Sequence, residues 1–251
     1  PLDEQDMIAL ITNGLTPTPR KQRVIVIGAG MAGLVAAYEL QRAGHDVVML
    51  EARQRVGGRI YTLREPFTHG LYAEVGAMRI PRTHRLTMAY IDKFKIKTSA
   101  FTTSNLKTYY YIDGRKFRRS EADVNPDALR FQVAEHERGK TADQLWAATI
   151  MPIVTKLEQQ GQTAWKEIVE QYDRYSLRDF LQSHRWSEGA IEMFGLMMDV
   201  EALMNSSFLE LLRDEVGNAY TNMIEIEDGS DHLPKVFLPE LKHRIRFGAK
   251  M

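Results

Sequence analysis

Two rhythms of apolar residues divide this chain. Near its start Val24, Ile25, Val26 and Ile27 stand together without a polar interruption. Such a short β-branched run predicts a strand with both faces covered, as in a parallel sheet. Gly28, Gly30 and Gly33 come next, then the helix "MAGLVAAYELQRAG", which Gly44 can close. A second strand, "DVVMLE", runs from Asp46 to Glu51. From about residue 121 to 218 the rhythm is helical. "TADQLWAATIMPIVTKLEQQ", "SLRDFLQSH" and "SFLELLRDE" open on the capping-box spacings Thr141–Gln144, Ser176–Asp179 and Ser207–Glu210. "SEGAIEMFGLMMDVEALM" is apolar over most of its surface and predicts a buried helix, with Met193, Met197, Met198 and Met204 as core filler rather than metal ligands.

Shorter signals fill the gaps. An amphipathic helix is expected from about Asp3 to Leu15, ended by Asn13–Gly14 and followed by the extended linker "TPTP". Thr83 is placed to cap a helix carrying Leu86, Tyr90, Ile91 and Phe94. "LKTYYYIDGRKFRRS" reads as a β-hairpin turning at Asp113–Gly114, with Tyr109 to Tyr111 in a sheet core and Arg115 to Arg119 as solvated charges. Near the end "MIEIE" reads as a strand, Asp228–Gly229 as a turn and "LPKVFLPELK" as a short helix.

Strand, glycines, helix, strand and terminal acid, in that order, form a seat for a dinucleotide. Gly28 permits the tight turn, Gly30 a close approach to pyrophosphate and Gly33 close helix–strand packing. The first helical N–H groups face the phosphates. Glu51 can accept hydrogen bonds from ribose hydroxyls, and an acid there disfavours a 2′-phosphate. This pattern alone leaves NAD and FAD both open.

Composition narrows the alternatives. The 251 residues include 33 Lys plus Arg and 33 Asp plus Glu. That balance gives no electrostatic reason to expect nucleic acid or an anionic membrane. Cysteine is absent, so disulfides, thiolate metal sites and cysteine nucleophiles are excluded. No apolar run approaches a membrane span, and "PLDEQDMIAL" lacks the regions of a signal peptide. A start at Pro1 fits trimming of an initiator or removal of a longer leader, and the compartment stays open. The seven histidines show no zinc-binding spacing, and no G-x-S-x-G occurs.

Beyond Glu51 the chain continues "EARQRVGGRIYT", and "LYAEVGAMRIP" follows. Here it resembles the flavin-containing amine oxidases, and within them the L-amino-acid oxidases, from about Asp6 through "NGL" to Phe94. The resemblance implies an α/β fold: a Rossmann-like FAD-binding domain with an inserted helical domain and part of a substrate-binding β-sheet domain. FAD is the implied cofactor. Gly28, Ala29, Gly30, Met31, Ala32, Gly33, Glu51, Ala52, Arg53, Gly58, Arg59, Gly76, Ala77, Met78 and Arg79 are the residues expected around it. Glu51 would hold the adenosine ribose and Arg59 approach the pyrophosphate, while Gly76 to Arg79 line the flavin. Gly57 and Gly58 let the chain pass close to a bulky ligand. Arg55 is expected to be no more than a solvated charge.

Arg79 would clamp the substrate α-carboxylate, a role suited to a bidentate guanidinium. The implied reaction takes an α-hydride from the neutral amine form of an L-amino acid. The imine hydrolyses to a 2-oxo acid and ammonia, and oxygen becomes hydrogen peroxide. No general base is visible, and His84 is read as a surface residue.

By this reading residues 1–19 are a helix and linker, 20–80 the first FAD-domain segment and 81–120 the first substrate-domain segment. Residues 121–218 are the helical domain and 219–251 the return. The family commonly carries a glycine where Asp228 stands, and Asp228 is given no role. A complete oxidase of this type is about twice as long. A second polypeptide carrying the C-terminal half, from a nicked or co-assembled enzyme, is therefore expected ahead of a truncated chain or a self-sufficient small flavoprotein, with the completed unit forming a homo-oligomer. A monoamine or polyamine oxidase, and a nucleotide-binding subunit without turnover, are the rival readings.

Overall fold

A computed structural model describes residues 3–217 and 221–250. The chain divides into two compact units, Pro1–Phe101 with Thr221–Met251, and Thr102–Tyr220. The first opens with α1 (Glu4–Asn13), β1 (Arg23–Ile27), α2 (Met31–Arg42) and β2 (Asp46–Glu51). Short strands β3 (Thr62–Leu63), β4 (Ala73–Glu74) and β5 (Ile80–Pro81) lead to α3 (Arg85–Lys93) and β6 (Thr98–Ala100). The second unit holds the hairpin β7 (Tyr109–Ile112) and β8 (Arg115–Arg118), then α4 (Arg119–Val124) and α5 (Ala142–Gln160). It continues through α6 (Gln162–Tyr172), α7 (Leu177–Ser183), α8 (Glu188–Met197) and α9 (Phe208–Val216). The chain then re-enters the first unit with β9 (Met223–Ile226), α10 (His232–Lys235), α11 (Leu238–Leu241) and β10 (Ile245–Phe247). No helix among the described residues is long and apolar enough to cross a membrane.

In the first unit β1, β2 and β10 form a parallel sheet in that order. α2 lays Leu34, Ala37 and Tyr38 against it, and Val47 and Met49 meet them from β2. The helix ends in a Schellman turn. His45 N–H donates to Leu40 O and Gly44 N–H to Gln41 O, with Gly44 at φ 99°. Phe237 closes the same core edge-on to Tyr38 and Phe94, with ring centroids 5.4 and 5.0 Å away. A smaller antiparallel sheet, β5-β9-β6, packs Ile224 and Ile226 with Ile91 and Leu233.

The expectation of a two-sided β1 fails. Its residues alternate exposed and half-buried, and Ile25 and Ile27 are 61% and 64% exposed. The uninterrupted apolar run is real, but among the described residues only the α2 side of the strand is covered. β1 is also the edge of the sheet.

The helical unit has a continuous core of its own. Phe180 and Phe208 stack with centroids 3.6 Å apart, Tyr172 meets both edge-on, and Trp146 leans on Phe194 at 5.0 Å. Met193 and Met204 are buried in it, while Met197 and Met198 are half-buried against it. The boxes at Thr141–Gln144 and Ser176–Asp179 form.

Four local expectations are corrected. Ser207 makes no side-chain cap. Its backbone is bridged to Ser176 instead, and Glu210 pairs with Arg213. Thr83 does not cap α3, because the helix starts at Arg85 and its N-cap position falls on His84, which makes no side-chain cap. Tyr109 and Tyr111 are exposed, because among the described residues their hairpin has only two strands and no second layer over those positions. Its turn is as expected: Asp113 and Gly114 both take positive φ. The region read as one helix, "LPKVFLPELK", is the two short helices α10 and α11.

Candidate dinucleotide-binding site

The glycine turn after β1 is built by backbone contacts. Gly28 takes φ 91° and donates its N–H to Leu50 O at 2.7 Å. A Cβ on Gly33 would lie 2.0 Å from Gly28 O, so only glycine lets α2 rise this close to the strand. A Cβ on Gly28 would meet nothing within 4 Å, and one on Gly30 only the Gly58 Cα at 4.0 Å. These two positions border open space. The first turn of α2 has no side-chain cap, so its N–H groups remain for an anion.

A second strip of chain forms the facing wall. Gly57 N–H donates to Ala29 O at 2.9 Å, and Gly30 bridges Gly57. From there the strip is zipped onto the stretch before Arg79: Ala77 N–H donates to Arg59 O and Val75 N–H to Tyr61 O. Gly76 must be glycine, since its Cβ would fall 2.1 Å from Arg59 O. The far end is tied down by Glu74, whose carboxylate accepts from the Thr62 hydroxyl and the Ser230 N–H. Arg64 forks onto both Asp231 oxygens and reaches Asp228 O at 2.7 Å. Asp228 takes φ 63°, a left-handed conformation that suits the glycine usual there. Burial would raise the Asp231 carboxyl, but Arg64 and Lys235 outweigh it and hold it below its usual range.

Between the two strips lies a cleft of about 1260 Å³. It exceeds an ordinary small-ligand pocket of about 300–1,000 Å³ and suits an extended dinucleotide. Of the residues expected at the cofactor, Gly28, Gly30, Met31, Ala32 and Gly33 line one side. Arg53, Gly58, Arg59, Gly76 and Ala77 line the other. Ala29 is fully buried beneath the turn rather than in its wall, and Ala52 and Met78 lie outside the lining at exposed positions. Glu51 sits behind the turn, 7% exposed. Its carboxylate accepts from Ala29 N–H at 2.7 Å and Arg53 N–H at 2.8 Å. Two bonds leave a carboxylate further acceptor positions for ribose hydroxyls.

Arg79 lies on a neighbouring cavity of about 620 Å³ with mostly apolar walls. Met31, Ala32, Ile60 and Ala77 border both spaces. The Arg79 guanidinium carbon sits 5.8 Å from the Phe101 ring centroid. His84 borders the same cavity from an exposed position. Its lining includes a residue that the sequence reading missed. Glu39, 8% exposed, accepts from Tyr90 OH at 3.1 Å and faces Lys93 and Arg42. Burial, with the Glu39 charge, drives the Tyr90 phenol well above its ordinary range and keeps it protonated.

Comparison with known proteins identifies the fold. The family model for flavin containing amine oxidoreductases matches residues 31–251. The chain belongs to that family. Its dinucleotide is accordingly FAD rather than NAD, and the open borders of Gly28 and Gly30 fit an FAD pyrophosphate against α2.

The chain is 41% identical over its full length to the Bacillus subtilis (strain 168) protein named "Putative L-amino-acid oxidase YobN", covering 52% of that protein. It is 35% identical to an L-amino acid oxidase of Cerastes cerastes, with 99% of this chain aligned to 48% of the relative. Among solved structures, a putrescine oxidase mutant matches 92% of this chain and 51% of its own, with TM-score 0.64 and 21% identity. That likeness supports the flavin amine oxidase fold. The chain spans about half the length of the curated relatives that it matches.

Proposed function

We propose that this chain is the N-terminal half of an FAD-dependent L-amino-acid oxidase, which turns an L-amino acid, oxygen and water into a 2-oxo acid, ammonia and hydrogen peroxide. The observation that carries the reading is the place of Arg79, on a cavity sharing four wall residues with the dinucleotide cleft. A guanidinium there offers a substrate carboxylate the planar fork that amines without a carboxylate do not need. The names of the relatives over the whole chain support the same substrate class. Bound FAD would supply the hydride acceptor. The chain's own part is to hold the phosphates between α2 and the Gly57–Arg59 strip, to present acceptors at Glu51 and to anchor the zwitterion at Arg79. Positioning of this kind is a large share of what a protein contributes to cofactor chemistry. Residues 20–80 are then FAD domain, 81–120 substrate domain and 121–218 helical domain.

The partner in this reading is the polypeptide corresponding to the relatives' second half. The order β10-β2-β1 is the 3-2-1 side of a doubly wound sheet. The open edge of β1 and its apolar Ile25–Ile27 face are where the remaining strands and a covering layer would dock.

The test is anaerobic reduction of the FAD-loaded complete protein by L-leucine and, separately, by spermine. Bleaching by L-amino acids alone is expected, and bleaching by spermine alone would sink the proposal. Arg79→Ala should raise KM for L-amino acids on the order of 100-fold with FAD still bound. An unchanged KM would remove the anchoring role.

A further inference from the structure

The strongest unassigned feature is Arg55. Its guanidinium donates to three carbonyls of the loop that follows it: Val56 O at 3.2 Å, Ile60 O at 3.1 Å and Gly58 O at 2.9 Å. The same group lies 4.4 Å from the Tyr61 ring centroid. It is half-buried, borders the dinucleotide cleft, and pairs with no carboxylate among the described residues. The charge of a half-buried arginine is usually met by an acid. Here it is met by peptide dipoles, which leaves a net positive charge beside an anion cleft.

The loop held by Arg55 contains Gly57 at φ 100° and Gly58 at φ 56°, conformations that Gly-Gly adopts readily but does not enforce. A Cβ on Gly58 would lie 3.3 Å from the Cα of Gly30, the N-cap of α2. By drawing the carbonyls of residues 56, 58 and 60 to one point, Arg55 turns three negative dipole ends toward itself. We propose that Arg55 is a positioning residue for the FAD pyrophosphate: it fixes the Gly57–Gly58 turn in its anion-receiving form and keeps an unneutralised cation at the cleft. The proposal rests on the FAD reading above. Lysine could supply the charge but not a fork reaching three acceptors.

The experiment measures FAD and ADP dissociation constants on the complete protein stripped of flavin, for wild type, Arg55→Ala and Arg55→Lys. ADP carries the adenosine pyrophosphate without the flavin ring. Arg55→Ala is expected to weaken FAD and ADP alike by at least tenfold, and Arg55→Lys to leave most of that loss in place. The visible circular dichroism of re-bound FAD should broaden toward that of free flavin in both variants. Equal ADP affinity in wild type and Arg55→Ala would overturn the proposal, even where thermal stability falls. Full recovery of affinity in Arg55→Lys would also overturn it, by making charge alone sufficient. Should Arg55→Ala fail to fold, Arg55→Lys decides alone: wild-type ADP affinity refutes positioning, and a loss of several-fold or more supports it. A wild type that binds neither FAD nor ADP would refute the cofactor reading itself, a result distinct from either outcome at Arg55.

Discussion

The two units solve the problem of burying a core to different degrees. In the helical unit, Phe180, Phe208, Tyr172, Trp146 and Phe194 close on one another, and α5 to α9 wrap them. In the nucleotide unit, one face of the sheet is as well packed, with Phe237 fully buried among Tyr38, Tyr90 and Phe94. The other face ends in Ile25 and Ile27, mostly exposed on an edge strand. Both regions place apolar side chains at these points. The difference lies in neighbours: helices bring their own through short loops, whereas a parallel strand depends on segments distant in the chain.

The comparison can be broken most sharply at Phe180. Phe180→Ala removes a fully buried ring stacked on Phe208, and a loss of about 3–5 kcal/mol is expected in denaturant unfolding. A loss below about 1 kcal/mol would mean that the helical core is not closed.

Glu137 tests the same unit more finely. It is 2% exposed and accepts from the Ser187 hydroxyl, the Ser187 N–H and the Ala134 N–H. Burial would raise its carboxyl, but these bonds outweigh burial and hold it below the ordinary value of 4.5. The unfolded chain therefore takes up its proton first as pH falls. The contribution of Glu137 is fully present above about pH 4.5 and is lost below it, as pH descends through the depressed folded value. Glu137→Gln should cost about 2 kcal/mol at neutral pH and flatten the acid limb of the stability curve. An acid limb as steep as wild type would assign that limb to other groups.

The smallest effect belongs to the open face. Ile25→Thr in the 251-residue chain should change stability by less than about 0.5 kcal/mol, as an exposed substitution does. With the second half present the same change should cost more than about 1 kcal/mol. Equal costs in both would show that nothing docks on β1.

What the sequence disclosed follows the range of the interactions. α2 and β2 lie where expected, and the Gly44 closure and the Asp113–Gly114 turn form, because a few adjacent residues decide each. The glycines of the cradle were legible because a missing Cβ is written in the residue type. The exposure of β1 was not legible, since "VIVI" reads alike whether or not a neighbour is present. Arg55 was misread as a solvated charge, because its partners are backbone carbonyls that carry no sequence signature. Glu39 was missed for a related reason: Tyr90 and Lys93 reach it from another helix.

The pairing of β10 with β2 carries a consequence for biosynthesis. Every residue of the helical unit leaves the ribosome before Ile245 can reach Met49. The helices can therefore consolidate while β2 still lacks its outer neighbour, so the nascent chain passes through a stage with both sheet margins bare. Chaperone demand during synthesis should be high in that interval and ease on the β2 side once β10 has emerged and paired.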